Sequence, residues 1–201
     1  MDASSAASRF REATGEGEMA ALNDALRRSP NRVAIVRDLA GNADADIRWW
    51  IADAAAEILD RDAVPILVAL LDDADADARL EALQSLVAID PGAARGHVGR
   101  LRRQLRSAEF WEPVVASWAL ARLRDAESLP VLDALARDLD GDWRGTTARA
   151  AAYVIREDEQ AILEWLKRED KISQPAAVEA ARILNTPALG EALSRLDDET
   201  E

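Results

Sequence analysis

Residues 60–90, DRDAVPILVALLDDADADARLEALQSLVAID, contain two short amphipathic segments joined by an acidic turn. Pro65 stands in the first turn of the first segment, where a missing N–H costs a helix little. Apolar residues follow it at helical spacing until the acidic run of residues 72–77. Asp77 is predicted to cap a second helix that begins near Ala78. The stretch therefore predicts two helices back to back.

The acidic turn between these helices recurs along the chain. Three copies share the pattern Asp-x-Asp-x-Arg: residues 44–48, 75–79 and 140–144. Two degenerate copies have Pro113 and Gln174 in place of the arginine. We call the last residue of each five-residue copy its anchor. From one anchor to the next, the five units are spaced by 31, 34, 31 and 30 residues. The sixth residue after each anchor is small, as expected where helices approach closely: Ala54, Ser85, Ala119, Ala150 and Ala180. Internal repeats of this length are typical of solenoids.

The turn, the apolar helix after it and the Ala-Val-Pro-Ile-Leu start of the next helix pair (residues 63–67) resemble HEAT-like repeats. The likeness is greatest to the short bacterial repeats first noted in phycobilin lyases. It implies an all-α, right-handed α-α superhelix of the HEAT-like or armadillo-like kind, with about six helix pairs. In such arrays the second helices of the pairs line the concave face. The fold serves many unrelated partners, so the resemblance implies no particular activity.

The predicted organisation is one continuous solenoid: N-terminal capping helices in residues 1–29, a repeat array in 30–196 and an acidic tail in 197–201. No stretch has the alternating pattern of a strand. The predicted helices cover residues 2–13 (capped by Ser4 or Ser5), 18–28, 31–40, 47–59, about 65–71, 78–89, 93–106, 110–124, 128–139, 143–156, 159–168, 175–185 and from 187 onwards.

Composition excludes several classes of function. The 201 residues include no cysteine, which removes disulfides and thiolate metal sites. No apolar run approaches 18 residues and no N-terminal apolar segment is present, so a cytoplasmic protein with no membrane partner is expected. The net charge of −13 argues against binding of nucleic acid, because phosphate contacts need clustered positive charge.

Two patterns that could hold a metal or a catalytic site fail. Residues 73–77 imitate the start of a calcium loop, but Ala78 and Gln84 stand where that loop needs Gly and Glu. His97 is the only histidine and lies in a basic segment without an acid from residue 95 to 106, which disfavours a Ser–His–Asp site. We therefore predict no metal, no cofactor and no catalytic residue.

The arginines have two interpretations. Arg48, Arg79 and Arg144 recur with the repeat, so we expect them to bond to the preceding turns and tie adjacent units together. One basic run contains Arg95, Arg100, Arg102, Arg103 and Arg106. It could hold an acidic partner, but pairing with the Asp-rich turns of neighbouring units is the favoured reading.

A binding face follows from the helical register. At 100° per residue, the third, fourth, seventh and tenth residues after each anchor face the core, whereas the second, fifth and ninth point away. From the outward column we predict a partner-binding face: Trp50, Asp53, Glu57, Glu81, Gln84, Trp118, Arg122, Arg149 and Tyr153. Exposed aromatic residues and arginines are typical of binding hot spots. The alternative is that the curved array or the N-terminal helices cover the aromatic residues, Trp50 in particular.

The predicted function is a non-catalytic scaffold that binds a protein or peptide of basic or mixed charge, as an inhibitor, immunity or adaptor protein. The oligomeric state is not specified by the sequence. One alternative is an enzyme of the HEAT-like DNA glycosylase type, with Trp49 or Trp50 and Asp53 against a cationic base. The acidic charge argues against it, because a duplex must be held by basic side chains. A lyase-like or chaperone-like role is implied by the resemblance alone.

Overall fold

A computed structural model describes residues 1–168 and 170–198, and its regular structure is helical, with no strand among those residues. The α-helices are α1 (Ala3–Glu12), α2 (Glu16–Arg27), α3 (Arg32–Ala40), α4 (Ala45–Leu59), α5 (Val64–Leu70), α6 (Ala76–Ile89), α7 (Pro91–Arg95), α8 (Val98–Gln104), α9 (Trp111–Arg122), α10 (Leu129–Asp138), α11 (Trp143–Arg156), α12 (Glu159–Leu166), α13 (Ser173–Leu184) and α14 (Pro187–Asp198). Short 3₁₀ turns precede α5 and α10. The predicted all-α class is confirmed. In the described residues, no helix has the length and apolar character needed to cross a bilayer.

The chain divides into two compact units, Met1–Ala94 and Arg95–Glu201. In the first unit, α1 and α2 pack on α3 and α4, and α4 packs on α6. In the second unit, α11 packs against both α9 and α13, while α10 pairs with α11 and α12 with α13. The helices predicted as an N-terminal cap thus belong to the first unit. Asp197 and Asp198 of the predicted acidic tail end α14, and its remaining residues lie outside the described chain.

Aspartate side chains begin several of the helices. Asp44 accepts a hydrogen bond from the N–H of Asp46, and Asp75 accepts one from the N–H of Ala78 (3.2 and 3.0 Å). Asp75 is thus the cap of α6. The prediction that Asp77 caps this helix is wrong, because Asp75, two residues earlier, already accepts the free N–H. Likewise Asp2, and neither Ser4 nor Ser5, caps α1.

The predicted helix over residues 93–106 is wrong, because α7 and α8 are separate. Gly96 and His97 lie between them, and glycine is a poor helix former. The carbonyl oxygen of His97 accepts hydrogen bonds from the N–H groups of Arg100 and Leu101 (2.9 and 3.2 Å), so a new helix starts there. His97 has this backbone role at the start of α8.

The predicted core register is correct in the second helices. In α4, the third, fourth, seventh and tenth residues after Arg48 are buried: Ile51, Ala52, Ala55 and Ile58. In α11, the same positions are buried as well: Thr147, Ala148, Ala151 and Val154. The small sixth residues are also buried, from Ala54 to Ala180. Helical periodicity therefore places the core-facing side of these helices correctly.

Arginines at the anchor positions fasten the turns. Arg48 donates to both carboxylate oxygens of Asp73 (2.7 and 2.8 Å) and to the carbonyl oxygens of Asn42 and Ala43 (2.8 and 3.1 Å). Arg79 makes the same kind of contact with its own preceding turn. It donates to the carbonyl oxygens of Asp73 and Ala74, six and five positions before it (2.8 and 3.0 Å). These contacts confirm the predicted bonds to the preceding turn for both arginines, and the bonds to Asp73 confirm the predicted tie between adjacent units for Arg48. Arg144 departs from it and bonds to Asp142, two residues earlier.

Candidate partner-binding surface

Trp50 does not belong to an exposed surface. Only 1% of its surface is exposed, and its indole ring stacks on the ring of Phe10 in α1 (centroids 4.9 Å apart, planes 18° apart). Its Nε1–H donates to Oδ1 of Asn23 in α2 (3.0 Å). The prediction that Trp50 is a partner contact is therefore wrong, and the alternative that the N-terminal helices cover it is correct. Covering it buries a large aromatic side chain and satisfies its one polar atom.

Asn23, which helps to cover Trp50, also forms a hydrogen bond with Glu57, one of the acids predicted to point away from the core. Its side-chain N–H donates to Oε2 of Glu57 (3.0 Å), while its carbonyl oxygen accepts from Trp50. Asn23 is itself buried. A buried tryptophan and a buried amide therefore fix the position of an exposed carboxylate at the surface of α4.

Three acids of the column are brought together in the first unit, and we call Asp53, Glu57 and Glu81 the acidic face. Asp53 and Glu57 are one turn apart on α4, and α6, which packs on α4, carries Glu81. Burial raises the pKa of Asp53, and the neighbouring Glu57 raises it further. Burial also raises the pKa of Glu81, with a further contribution from Asp53. In the part of the chain that the structure describes, no cation lowers either pKa, so burial and like charge act together on the acidic face.

Gln84 borders the acidic face on α6. Its side chain is exposed, and its Nε2 lies 3.5 Å from Oε2 of Glu81. An amide at this position can donate to a carboxylate or turn toward a partner, because it carries both donor and acceptor atoms. Of the five column residues predicted in the first unit, four are therefore grouped at the surface.

In the second unit, the basic members of the column are bound within the molecule. Arg122 of α9 pairs with Glu179 of α13. Arg149 donates to the carbonyl oxygen of Ala136 and to Oδ1 of Asp140 (3.0 and 2.7 Å). Part of the hydrogen-bonding capacity of each guanidinium group is therefore already used within the molecule.

The aromatic centre of this half is Trp165, which the sequence analysis did not select. Tyr153 meets its ring edge to face (centroids 5.2 Å apart, planes 84° apart). The guanidinium carbons of Arg149 and Arg168 lie 5.9 and 5.1 Å from the ring centroid. Trp165 is buried, Tyr153 and Arg149 are half-buried and Arg168 is exposed, so this aromatic and arginine cluster reaches from the interior of the unit to its surface. Trp118 is half-buried, and its role as a partner contact stays a prediction.

The basic run is partly structural. Arg102 binds both carboxylate oxygens of Asp125 and donates to Glu127 (2.5 Å). These hydrogen bonds, first of all those with Asp125, raise the pKa of Arg102 further above its ordinary range. The interpretation of the run as a partner of Asp-rich turns is confirmed for this residue. Arg95, Arg103 and Arg106 are exposed.

The structure was also compared with the requirements of a metal site, and the chain with known proteins. In the part of the chain that the structure describes, no group of three or more His, Cys, Asp or Glu side chains is arranged to hold a metal ion. The chain matches no family model, no curated protein and no solved structure.

Proposed function

We propose that this protein is a non-catalytic scaffold, built as a HEAT-like α-α superhelix, that binds a basic segment of a partner protein on its acidic face. The observation that carries the proposal is that Asp53, Glu57 and Glu81 lie together on the packed helices α4 and α6. Burial raises the pKa of Asp53 and of Glu81, and in each case a neighbouring acid of the face raises it further. A partner lysine or arginine would supply the missing charge.

Two other acids, Asp73 and Asp125, are neutralised within the molecule, and this contrast supports the proposal. Asp73 is paired with Arg48, and Asp125 is paired with Arg102. On the acidic face, by contrast, like charges one helical turn apart cost about 0.2–0.5 kcal/mol. A partner's cation relieves that repulsion on binding, which adds to the favourable free energy of association.

Pre-organisation also supports binding at this face. Glu57 accepts a hydrogen bond from Asn23, and Asn23 accepts one from Trp50, whose ring stacks on that of Phe10. An acid already held in one position loses little conformational freedom when a partner docks. In this proposal Trp50 positions the face from beneath. Burial removes Trp50 from the glycosylase-type alternative and leaves Trp49 as its exposed tryptophan.

Long-range charge favours the same kind of partner. Residues 1–94 contain 18 Asp and Glu against 9 Arg. This excess accounts for most of the net charge of −13 and attracts a basic segment before contact is made.

The experiment compares two variants with the same change in net charge. The first neutralises the acidic face: Asp53→Asn, Glu57→Gln and Glu81→Gln. The matched control neutralises three other exposed acids of the first unit: Glu12→Gln, Asp38→Asn and Asp62→Asn. Affinity for a fluorescein-labelled peptide of alternating Arg and Ala residues is measured by anisotropy.

We expect the acidic-face variant to bind this peptide at least about tenfold more weakly than the wild type, which corresponds to about 1.4 kcal/mol. The control should change much less, because its acids act only through long-range attraction. Equal weakening in both variants would show that net charge, and not the acidic face, attracts the peptide.

A further inference from the structure

Two adjacent aromatic residues at the start of α9 are exposed. Phe110 and Trp111 have 42% and 54% of their surfaces exposed. Their rings meet edge to face, with centroids 5.0 Å apart and planes at 87°. Among the described residues, the other large apolar side chains with comparable exposure are Met1 and Trp49. A contiguous aromatic pair in water is unusual unless it has a partner.

Comparison of the repeats shows which residues the pair replaces. Residues 109–113 read Glu-Phe-Trp-Glu-Pro where three of the other four turns read Asp-x-Asp-x-Arg. In those three turns the positions of Phe110 and Trp111 hold a small residue and an acid: Ala45 and Asp46, Ala76 and Asp77, Gly141 and Asp142. The fifth turn is degenerate and has Lys171 and Ile172 there. The third unit also lacks the side-chain cap that begins α4, α6 and α11. The third unit is thus the one whose turn carries two adjacent aromatic residues.

The surroundings of the pair are basic. The guanidinium carbon of Arg144 lies 5.2 Å from the centroid of the Phe110 ring. Arg103 and Arg106, at the end of α8 and in the turn that leads to the pair, are exposed, and in the described chain neither has an ion-pair partner. Residues 95–124 contain seven arginines against two glutamates, in a chain whose net charge is −13. This local sign is opposite to that of the acidic face.

We propose that Phe110, Trp111, Arg103, Arg106 and Arg144, together the aromatic–basic patch, dock an acidic peptide segment of a partner protein that carries an apolar side chain. Trp111 has the larger exposed ring surface of the pair and anchors the apolar side chain. Arg103 and Arg106 bind the acidic side chains on either side of it, while Arg144, which is paired with Asp142, lies against the Phe110 ring. The charge of the patch selects against the basic segments that suit the acidic face.

The test uses a fluorescein-labelled peptide in which single Leu residues are spaced among Glu and Asp, and two competitors. The competitors are the same peptide with Lys in place of every acid, and single-stranded oligothymidylate. The variants are Trp111→Ala, the charge reversal Arg103→Glu with Arg106→Glu, and the control Trp49→Ala. Trp49 suits this purpose because it is another exposed tryptophan, with 41% of its surface accessible. Circular dichroism of each variant checks that it folds.

We expect the acidic peptide to bind the wild type with an affinity that falls as salt is added. Trp111→Ala should weaken binding about 30-fold, as for the loss of a central hot spot. The charge reversal should weaken binding and reduce its salt dependence, while Trp49→Ala should change the affinity less than about twofold. Neutralising the acidic face should leave this affinity the same or raise it, which separates this patch from the proposed function.

Three outcomes would overturn the proposal. The first is no binding of the acidic peptide to the wild type. The second is equal weakening by Trp49→Ala and Trp111→Ala, since that would mean unspecific adhesion to exposed aromatic residues. The third is oligothymidylate binding that depends on Trp111 and is tighter than peptide binding, which would make the patch a nucleic-acid surface.

Discussion

Replacement of Arg48 by alanine is the perturbation whose effect on folding can be worked out most closely. Its guanidinium group makes four hydrogen bonds, two to the carboxylate of Asp73 and two to the carbonyl oxygens of Asn42 and Ala43. The side chains of Arg48 and Asp73 are only 14% and 8% exposed. Alanine at position 48 therefore leaves a nearly buried carboxylate without its cation.

The expected cost of Arg48→Ala is about 3 kcal/mol of the free energy of unfolding. Breaking a buried ion pair on one side typically costs about 3–5 kcal/mol. The lower end applies because Asp73 keeps a hydrogen bond from the N–H of Asp75 (2.8 Å) and some contact with water. In a double-mutant cycle with Asp73→Ala, the coupling energy should be about 2 kcal/mol.

The assay is urea unfolding of the two single variants, the double variant and a control. The control is Arg11→Ala, which removes an ion pair to Asp44 of similar length (2.9 Å) with side chains 53% and 31% exposed. That pair should contribute less than about 1 kcal/mol. The reasoning is refuted if Arg48→Ala costs no more than Arg11→Ala, or if the coupling energy is below about 0.5 kcal/mol.

The same pair predicts a dependence on pH. The hydrogen bonds from Arg48 lower the pKa of Asp73, so the folded state binds its proton less readily than the unfolded chain does. The stabilisation is therefore complete above about pH 4, the ordinary range of an aspartate, and is lost as the pH falls through the lowered pKa. The cost of Arg48→Ala should shrink over that acidic interval.

Three further substitutions test the packing by urea unfolding. Trp50→Ala should cost about 3–5 kcal/mol because it empties a buried site, whereas Trp49→Ala beside it should cost less than about 1 kcal/mol; similar costs would mean that the burial is misassigned. Arg124→Ala should cost about 1.5–3 kcal/mol, because the guanidinium group of Arg124 donates to carbonyl oxygens at the ends of α11 and α13 (2.9 and 3.4 Å). A negligible cost would show that those bonds contribute little to stability. Gly145→Ala should unfold or strongly destabilise the second unit, because a Cβ atom there would lie 2.1 Å from the carbonyl oxygen of Leu139; a stable variant would contradict that close approach.

Local properties of the chain were predictable from the sequence. Helical periodicity is a property of neighbouring residues, so the core-facing positions of the second helices and the bounds of α11 follow from it. The small residue six positions after each anchor likewise predicted a buried site at every one of the five units. These features need no knowledge of what packs on the helix.

The errors arise where distant segments decide the outcome. Trp50 points away from the core side of α4, but Phe10 and Asn23 come from 40 and 27 residues earlier and cover it. No local pattern specifies which outward position an N-terminal helix will meet. Trp165 was missed for the same reason: its spacing with Ile162 and Leu166 predicts burial, but its contact with Tyr153 depends on how α12 packs beside α11.

Part of the candidate surface could also be predicted. The grouping of Asp53, Glu57 and Glu81 follows in part from the register, because Asp53 and Glu57 lie one turn apart on α4 and Glu81 lies on α6, which packs on α4. The internal pairing of Arg122 with Glu179 could not be anticipated, since it joins residues 57 apart in the chain. Periodicity locates the face of a helix, whereas the choice of ion-pair partner is tertiary.

The pKa values of Asp53 and Glu81, measured by carboxyl NMR titration of the free protein and of its complex with the Arg–Ala peptide, test the central claim most directly. In the free protein both pKa values should lie above their ordinary values, because burial and the neighbouring acids disfavour the charged form. When the peptide is bound, both pKa values should fall, since a cation held against the acidic face favours the carboxylate form and binding then releases protons. Ordinary or lowered pKa values in the free protein, or values that do not change when the peptide is bound, would contradict the claim that this face is prepared for a basic partner.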